Sequence, residues 1–148
     1  MKIRNIIITL VSAIALLISA STVSFAKVVG DKIILGAAVS LTGKYSSNGV
    51  HTQNGYNLAV ERINGMGGVT VGGKSYKFEI IYYDDESNSG RAAQLAERLI
   101  KQDGVQFMLG PYSSGLTKAM APVTEKYGIP MVEANGASRS LFTKGYKY

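Results

Sequence analysis

The sequence contains no cysteine and no tryptophan, one histidine and only three prolines among its 148 residues. Without cysteine the chain has no disulfide framework, no thiolate metal site and no cysteine nucleophile. The formal charge of +6 comes from dispersed residues, and no run of Lys or Arg marks a phosphate track, which argues against a nucleic-acid partner. Because 46% of the residues are hydrophobic, the chain can bury one core, so it forms one domain or part of one.

The first 26 residues have the pattern of a secretory signal peptide. Lys2 and Arg4 precede an apolar run at 6–18, and Ser24 and Ala26 are small residues at the positions that a signal peptidase reads. The run is shorter than the roughly 20 residues that cross a bilayer, which argues against the alternative of a membrane anchor. We expect cleavage after Ala26 and an exported, soluble product. No cysteine follows the run, so a lipoprotein is excluded.

Downstream of residue 26, strand-length apolar runs alternate with helical stripes. Buried strands are predicted at 32–41, 76–83, 105–109 and 130–134. Two amphipathic helices are predicted by apolar stripes at Tyr56, Ala59, Val60 and Ile63, and at Ala92, Leu95, Ala96 and Leu99. A third helix runs from about 114 to 127, where Pro122 either kinks it or starts a second segment. A hairpin turns at Gly72 and Gly73.

Strands that alternate with helices predict an α/β fold with a doubly wound parallel sheet and flanking helices, because parallel neighbours need a crossover. In such sheets ligands bind at the carboxyl ends of the strands. Four predicted loops follow those ends, at 40–49, 84–89, 110–115 and 134–139, and three of them are rich in glycine, hydroxyl and amide residues. The sequence therefore predicts a binding surface there.

The loop 110–115 opens directly into a predicted helix. Free N–H groups at that helix start, from Ser113 onward, attract an anion, and a serine hydroxyl can cap the helix or donate to a ligand. A nucleotide phosphate fits poorly, because Leu116 and not lysine follows Gly115. A single carboxylate fits better; the alternative is that Ser114 only caps the helix.

No residue pattern indicates an enzyme, a metal site or a cofactor. Asp84, Asp85 and Glu86 precede a predicted helix, where acids more often act as caps and dipole partners than as metal ligands. His51 has no neighbouring acid or cysteine and is interpreted as a polar residue of a first helical turn. Ser114 has no partner base in the sequence. We therefore predict a binding protein without a catalytic residue, metal or cofactor.

Short motifs follow one another along the chain: SLTG at 40–43, NG at 48–49 and 54–55, IN and GG within 63–68, YDD at 83–85, GV at 104–105, SS at 113–114 and GIP at 128–130. In order and spacing they resemble the branched-chain amino acid (Leu/Ile/Val-type) substrate-binding proteins of ABC transporters. The resemblance implies a type I periplasmic-binding fold, in which residues 27–148 form the amino-terminal lobe and the second lobe is absent.

The same resemblance implies a function and a location. A solute, an amino acid or a related small carboxylate or amide, is bound between two lobes in the periplasm and delivered to an inner-membrane ABC permease with a separate ATPase subunit. The alternative is a ligand-sensing receptor domain of the same fold. One lobe encloses only part of a ligand. If the complete two-lobed site binds its solute with a dissociation constant of about 1 μM, a single lobe that keeps roughly half of the binding free energy has a dissociation constant near 1 mM. We therefore expect the isolated chain to bind its solute weakly.

Ligand-binding residues are carried over from the resemblance position by position. Ser114 matches the serine that binds the ligand carboxylate, Asn48 lies where the first loop reaches the ligand, and Asn135 and Ala137 lie where backbone and a threonine hydroxyl contact its polar end. Asn48 replaces an aromatic residue and Ala137 has no hydroxyl, so amides, urea and aromatic acids stay open as ligands. The predicted ligand-binding set is Asn48, Tyr112, Ser113, Ser114, Asn135, Gly136 and Ala137.

Overall fold

The structure is a computed structural model that describes residues 28–133 and 135–148. The expected signal peptide and its cleavage site lie outside the described residues. Within the described part, no helix has the length and apolar character needed to cross a membrane.

Strands and helices alternate along the described chain, as the sequence predicts. The strands are β1 (Val28–Val29), β2 (Lys32–Val39), β3 (Val69–Val71), β4 (Lys74–Asp84), β5 (Met108–Leu109) and β6 (Met131–Val132). The helices are α1 (Ser46–Gly65), α2 (Ser89–Lys101) and α3 (Ser114–Tyr127), followed by a 3-10 turn at Arg139–Leu141.

One sheet carries these strands in the order β3-β4-β2-β5-β6. Strand β2 pairs in parallel with β4 on one side and β5 on the other, and β5 pairs in parallel with β6. The antiparallel additions are β1 beside β2 and β3 beside β4, the latter through the predicted turn at Gly72 and Gly73, both with positive φ. The predicted doubly wound α/β fold is confirmed, and β2 is the strand at which the chain changes direction across the sheet.

Helices cover both faces of the sheet. The predicted stripe of α2 is confirmed as buried and packs with α3 over Val105, Met108 and Met120. The alternation of side chains along a strand puts Tyr83 on this face, with its ring 4.5 Å from Arg98, and Tyr82 on the face of α1, where its hydroxyl donates to Asn57. Beyond α1, that second face keeps an apolar groove of about 290 Å³ between Ile33, Leu35, Phe78, Phe107, Met108, Leu109 and Val132.

Helix α1 differs most from its prediction. It begins at Ser46, well before the predicted stripe, and Ala59 of that stripe is exposed. The residues that α1 buries fully are Gly49 and Thr52, because the helix rests on the end of β2 with its first turns. Its inner face then continues through half-buried Tyr56, Val60 and Ile63, which lie at helical spacing from Thr52.

The strands β5 and β6 are shorter than predicted, at two residues each. Backbone pairing extends past them, since the Gly36 N–H donates to the Phe107 carbonyl (3.0 Å) and the Met108 N–H to the Pro130 carbonyl (2.9 Å). Helix α3 runs unbroken through Pro122 and ends, as its glycine predicts, on left-handed Gly128.

Candidate functional site

An open cavity of about 410 Å³ lies where the topology predicts ligand binding, beside the carboxyl ends of the parallel strands. Helix α1 supplies one wall, and the loops after β5 and β6 supply the others. The cavity, called here the cleft, is lined by Asn48, His51, Thr52, Gly55, Tyr56, Tyr112 and Asn135.

The α1 wall of the cleft exists because this helix approaches β2 without a side chain between them. A Cβ atom on Gly49 would lie 1.8 Å from the Ser40 carbonyl oxygen, so only glycine allows the contact. The lining residues of α1 lie three or four positions apart, which puts them on one helical face. Thr52 is buried on that face, and its hydroxyl donates to the Asn48 carbonyl at 3.0 Å.

Two tyrosines, Tyr56 and Tyr112, contribute rings to the lining of the cleft. The Tyr56 hydroxyl donates to the Gly110 carbonyl at 2.7 Å, which ties α1 to the end of β5. Burial raises the pKa of Tyr56, and the negative charge of Glu133 raises it further, so the phenol is uncharged. Tyr112 packs edge-on against Tyr45, with the ring centroids 5.7 Å apart, and Tyr112 lines the cleft.

The start of α3 is the position at which the sequence predicts an anion site. Ser113 is the residue that caps this helix, because its side chain accepts from the Leu116 N–H at 3.4 Å; the interpretation of Ser114 as the cap is therefore wrong. The Ser114 oxygen instead accepts from the Ser138 N–H at 3.0 Å, which leaves its own hydrogen to donate elsewhere. Among the described residues, the N–H groups of Ser114 and Gly115 have no hydrogen-bond acceptor, as expected in a first helical turn.

The loop after β6 is held by Glu133. One carboxylate oxygen accepts from the N–H of Asn135 at 2.6 Å and from the N–H of Gly136. The other oxygen accepts from the Thr117 hydroxyl at 2.9 Å. The Asn135 side chain reaches back to the Thr52 hydroxyl at 3.4 Å, so the loop contacts α1 across the cleft.

The structure brings together part of the predicted ligand-binding set. Asn48, Tyr112 and Asn135 line the cleft, while Ser114 is joined to the loop 135–138 through Ser138. Four residues of the predicted set are not among the cleft-lining residues of the described chain: Ser113, Ser114, Gly136 and Ala137. Ala137 is exposed.

Sequence reasoning missed His51, Thr52 and Tyr56 as cleft residues, and Glu133 as the anchor of the loop. The helical spacing from Asn48 was the signal for the first three, but it depends on knowing that α1 starts at Ser46. His51 consequently lies in the second helical turn and faces the cleft. For Glu133 two of the partners, the N–H groups of Asn135 and Gly136, are local, but Thr117 becomes its neighbour only through the fold.

The acidic segment lies apart from the cleft and connects two loops. Asp84 accepts from the backbone N–H groups of Leu41 and Thr42 at 2.9 and 3.2 Å, and buried Asp85 accepts from the Ser40 hydroxyl at 2.6 Å. The interpretation of these acids as helix caps is wrong, because the Asn88 side chain caps α2. Across the described residues, no group of His, Asp and Glu is arranged to hold a metal ion.

The pKa values of Asp84 and Asp85 shift in opposite directions. Burial acts to raise the pKa of Asp84, but the Thr42 hydroxyl and the N–H groups of Glu86, Leu41 and Thr42 outweigh it, so the pKa lies below its usual range. Burial raises the pKa of Asp85 above its usual range despite its hydrogen bonds to Ser40 and Ser87. Its second carboxylate oxygen is buried and has no hydrogen-bond partner in the part of the chain that the structure describes.

Taken together, the doubly wound sheet and the cleft at its carboxyl edge define an α/β fold of the periplasmic-binding type. The chain belongs to the periplasmic binding protein family, whose sequence profile matches residues 32–147.

Named relatives show which members of this family the chain is similar to. It is 28% identical to the leucine-, isoleucine-, valine-, threonine- and alanine-binding protein of Pseudomonas aeruginosa over 79% of this chain and 30% of that protein. The structure of the branched-chain amino acid transporter substrate-binding protein LivJ from Streptococcus pneumoniae, in complex with isoleucine, matches with a TM-score of 0.71 and 32% identity over 79% of this chain and 32% of that one.

A relative with a different ligand is also similar. A solute-binding protein of an ABC transporter from Rhodopseudomonas palustris, solved with 3,4-dihydroxybenzoic acid, matches with a TM-score of 0.65 and 26% identity over 75% of this chain and 29% of that one. These relatives are substrate-binding proteins. The chain spans about a third of the length of the relatives it matches.

Proposed function

We propose that this chain is the amino-terminal ligand-binding lobe, residues 27–148, of the solute-binding component of an ABC importer. Its solute is a branched-chain amino acid or a related small carboxylate or amide, which it delivers to a permease in the inner membrane with a separate ATPase subunit. The observation that carries the proposal is the start of α3, where the Ser114 hydroxyl hydrogen and the N–H groups of Ser114 and Gly115 have no acceptor among the described residues. Ser114 is joined through Ser138 to the loop that carries the cleft residue Asn135.

A carboxylate suits that position for two physical reasons. The unpaired N–H groups of a first helical turn and the positive end of the helix dipole favour a negative charge. The Ser114 oxygen is already used as an acceptor by the Ser138 N–H, which directs the hydroxyl hydrogen toward another acceptor such as a carboxylate oxygen. Hydrogen bonds to charged groups contribute about 1.5–3 kcal/mol each.

The walls of the cleft support a small solute with an apolar part. Tyr56 and Tyr112 contribute rings, and Asn48, Thr52 and Asn135 contribute hydrogen-bonding groups that fix orientation. A few placed polar groups on an otherwise apolar lining are typical of small-molecule sites. The relatives that carry isoleucine and a dihydroxybenzoate are consistent with an acid whose side group varies.

A titration of the purified chain tests this proposal. L-Isoleucine is added to millimolar concentration while the amide signals of Ser114, Gly115 and Asn135 are followed by NMR, with 3,4-dihydroxybenzoate as a second probe. We expect saturable shifts near 1 mM, since one lobe supplies part of the enclosure. Replacing Ser114 by Ala is expected to weaken isoleucine binding by about tenfold, which corresponds to one hydrogen bond to a charged group.

The matched control is Ser75→Ala, which removes an exposed hydroxyl whose neighbour is Thr70 in the hairpin. If the Ser114 and Ser75 variants bind isoleucine equally well, the carboxylate site at α3 is wrong. If only the dihydroxybenzoate shifts the three amides, the solute is an aromatic acid and the amino acid assignment fails.

Export is tested separately. We expect the amino terminus of the protein recovered from a periplasmic extract to be Lys27, as determined by mass spectrometry, because the small residues at 24 and 26 mark the cleavage site. Recovery of the chain only with residues 1–26 attached, in the membrane fraction, would contradict this part of the proposal.

A further inference from the structure

The loop after β6 has an unusual anchor, a carboxylate that lies directly behind the cleft. We propose that Glu133 is a specificity-determining residue, which makes the Asn135 side of the cleft accept a cationic group of the solute and reject an anionic one. This inference rests on the proposed function, because it concerns the same cleft, and it adds the residue that sets the polarity at one end.

The first step of the argument is the use of backbone donors. A loop of small residues at the carboxyl end of a strand offers N–H groups to anions. Here the N–H groups of Asn135 and Gly136 both donate to one Glu133 oxygen, and the Ser138 N–H donates to Ser114. A solute carboxylate therefore finds these donors already occupied.

The second step is the packing that holds the carboxylate in place. A Cβ atom on Gly110 would lie 2.1 Å from one Glu133 oxygen, and a Cβ atom on Gly136 would lie 3.0 Å from the carboxylate carbon. The Thr117 hydroxyl fixes the second oxygen from α3. Glycines on two sides and three hydrogen-bond donors thus give the side chain a defined position.

The third step is charge. Among the described residues none forms an ion pair with Glu133. This includes Lys147, although Lys147 and Glu133 line one cavity, which is separate from the cleft. The charge of Glu133 is felt in the cleft, since it raises the pKa of Tyr56, one of the lining residues. An uncompensated carboxylate behind a partly desolvated wall attracts a cation and repels an anion.

The site then has two ends of opposite preference. The start of α3 favours a carboxylate, and the loop held by Glu133 favours an ammonium group. A solute that carries both charges satisfies both ends, whereas a solute with two carboxylates places one of them against Glu133.

Three probes of one shape test the inference: L-leucine, 4-methylpentanoate, which lacks the ammonium group, and 3-methylbutylamine, which lacks the carboxylate. Binding of each to the purified chain is followed by NMR at up to tens of millimolar. The variant is Glu133→Gln, which keeps an oxygen for the two N–H groups and removes the charge. Glu125→Gln is the matched control, because the Glu125 carboxylate also accepts two backbone N–H groups, those of Lys147 and Tyr148.

We expect Glu133→Gln to weaken the binding of 3-methylbutylamine and L-leucine by about fivefold to tenfold and to strengthen the binding of 4-methylpentanoate. This is the effect of a unit charge that acts over a short distance in a partly solvated site. The Glu125 variant leaves all three unchanged. A merely structural role predicts instead that all three probes weaken together in the Glu133 variant, and this result would overturn the inference.

Failure of the inference and failure of the proposed function give different results. If the amine binds and loses affinity in the Glu133 variant while L-leucine does not bind, the inference holds and the amino acid assignment fails. If L-leucine binds equally well to the wild type and the variant, the proposed function holds and the inference is wrong. If no probe shifts the Asn135 or Gly136 signals, both are wrong.

Discussion

The close approach of α1 to the end of β2 makes a sharp prediction. Helix α1 contains Gly49 and Gly55, and the surroundings of these two glycines differ completely. A Cβ atom on Gly49 would lie 1.8 Å from the Ser40 carbonyl oxygen and 2.6 Å from its carbon, whereas a Cβ atom on Gly55 would meet nothing within 4 Å. The same substitution, glycine to alanine, should therefore have opposite effects at the two positions.

Two free-energy contributions decide whether each substitution stabilises or destabilises the protein. Alanine in a helix interior is more favourable than glycine by about 0.5–1 kcal/mol, because glycine loses more backbone freedom on folding. At Gly55 this gain is the whole effect. At Gly49 the added methyl group overlaps backbone atoms on the end of β2, and overpacking of this kind costs typically about 1–3 kcal/mol. We expect Gly49→Ala to lower the free energy of unfolding by about 1–2 kcal/mol after the helix gain is subtracted.

Urea unfolding at 25 °C, followed by circular dichroism, measures both variants against the wild type. Gly55→Ala should move the transition to higher urea and Gly49→Ala to lower urea, with unchanged slopes if both stay two-state. Because Gly49 positions α1 over β2, its variant should also shift the NMR signals of Asn48 and Thr52. Equal stabilities of the two variants would refute the close approach of α1 to the Ser40 carbonyl.

Other expectations concern the strained turn, the buried acid and the core. Ser113 has φ 87°, a conformation that costs a non-glycine residue about 1–3 kcal/mol, and glycine caps helices nearly as well as serine. Ser113→Gly should therefore raise the free energy of unfolding by about 1 kcal/mol. A melting temperature at or below that of the wild type would contradict this. The Asp85 carboxyl binds its proton more tightly in the folded state, since its pKa is raised. Its contribution to stability is therefore full at low pH and is lost as the pH rises above 3.8, the ordinary pKa of the group. The free energy of unfolding of the wild type minus that of Asp85→Asn should fall over that range, and a rise of this difference with pH would contradict the expectation. Leu99 is 0% exposed, and Leu99→Ala should destabilise by about 2–5 kcal/mol in urea unfolding, an effect below 1 kcal/mol being incompatible with a buried site.

Local patterns in the sequence were sufficient for most of the fold. The spacing of Ala92, Leu95, Ala96 and Leu99 predicted the buried face of α2, and all four are buried. The glycine pair at 72 and 73 predicted the hairpin, and Gly128 predicted the end of α3. Each of these features depends on residues close together in sequence, where helical period, strand length and glycine conformation act directly.

The candidate site was only partly predictable for the same reason. The parallel topology located it at the carboxyl ends of the strands, and three of the predicted residues line the cleft. The start of α1 was missed, because Gly49 joins a helix only by resting on the carbonyl of Ser40. The local sequence, with three glycines in the helix and no side-chain cap, has little preference for a helix at this position.

The sequence by itself determined the order of strands and helices, the helices on both faces of the sheet and the sheet edge at which the cleft lies, since periodicity and glycine placement are local properties. Only the tertiary structure decided which serine caps α3, which side chains of α1 face the cleft and which donors of the loop 135–138 are already used. Glu133 illustrates the physical reason. Its partner on α3, Thr117, is 16 residues away in sequence, and a hydrogen bond between distant residues exists only once folding has offset the entropy of bringing them together.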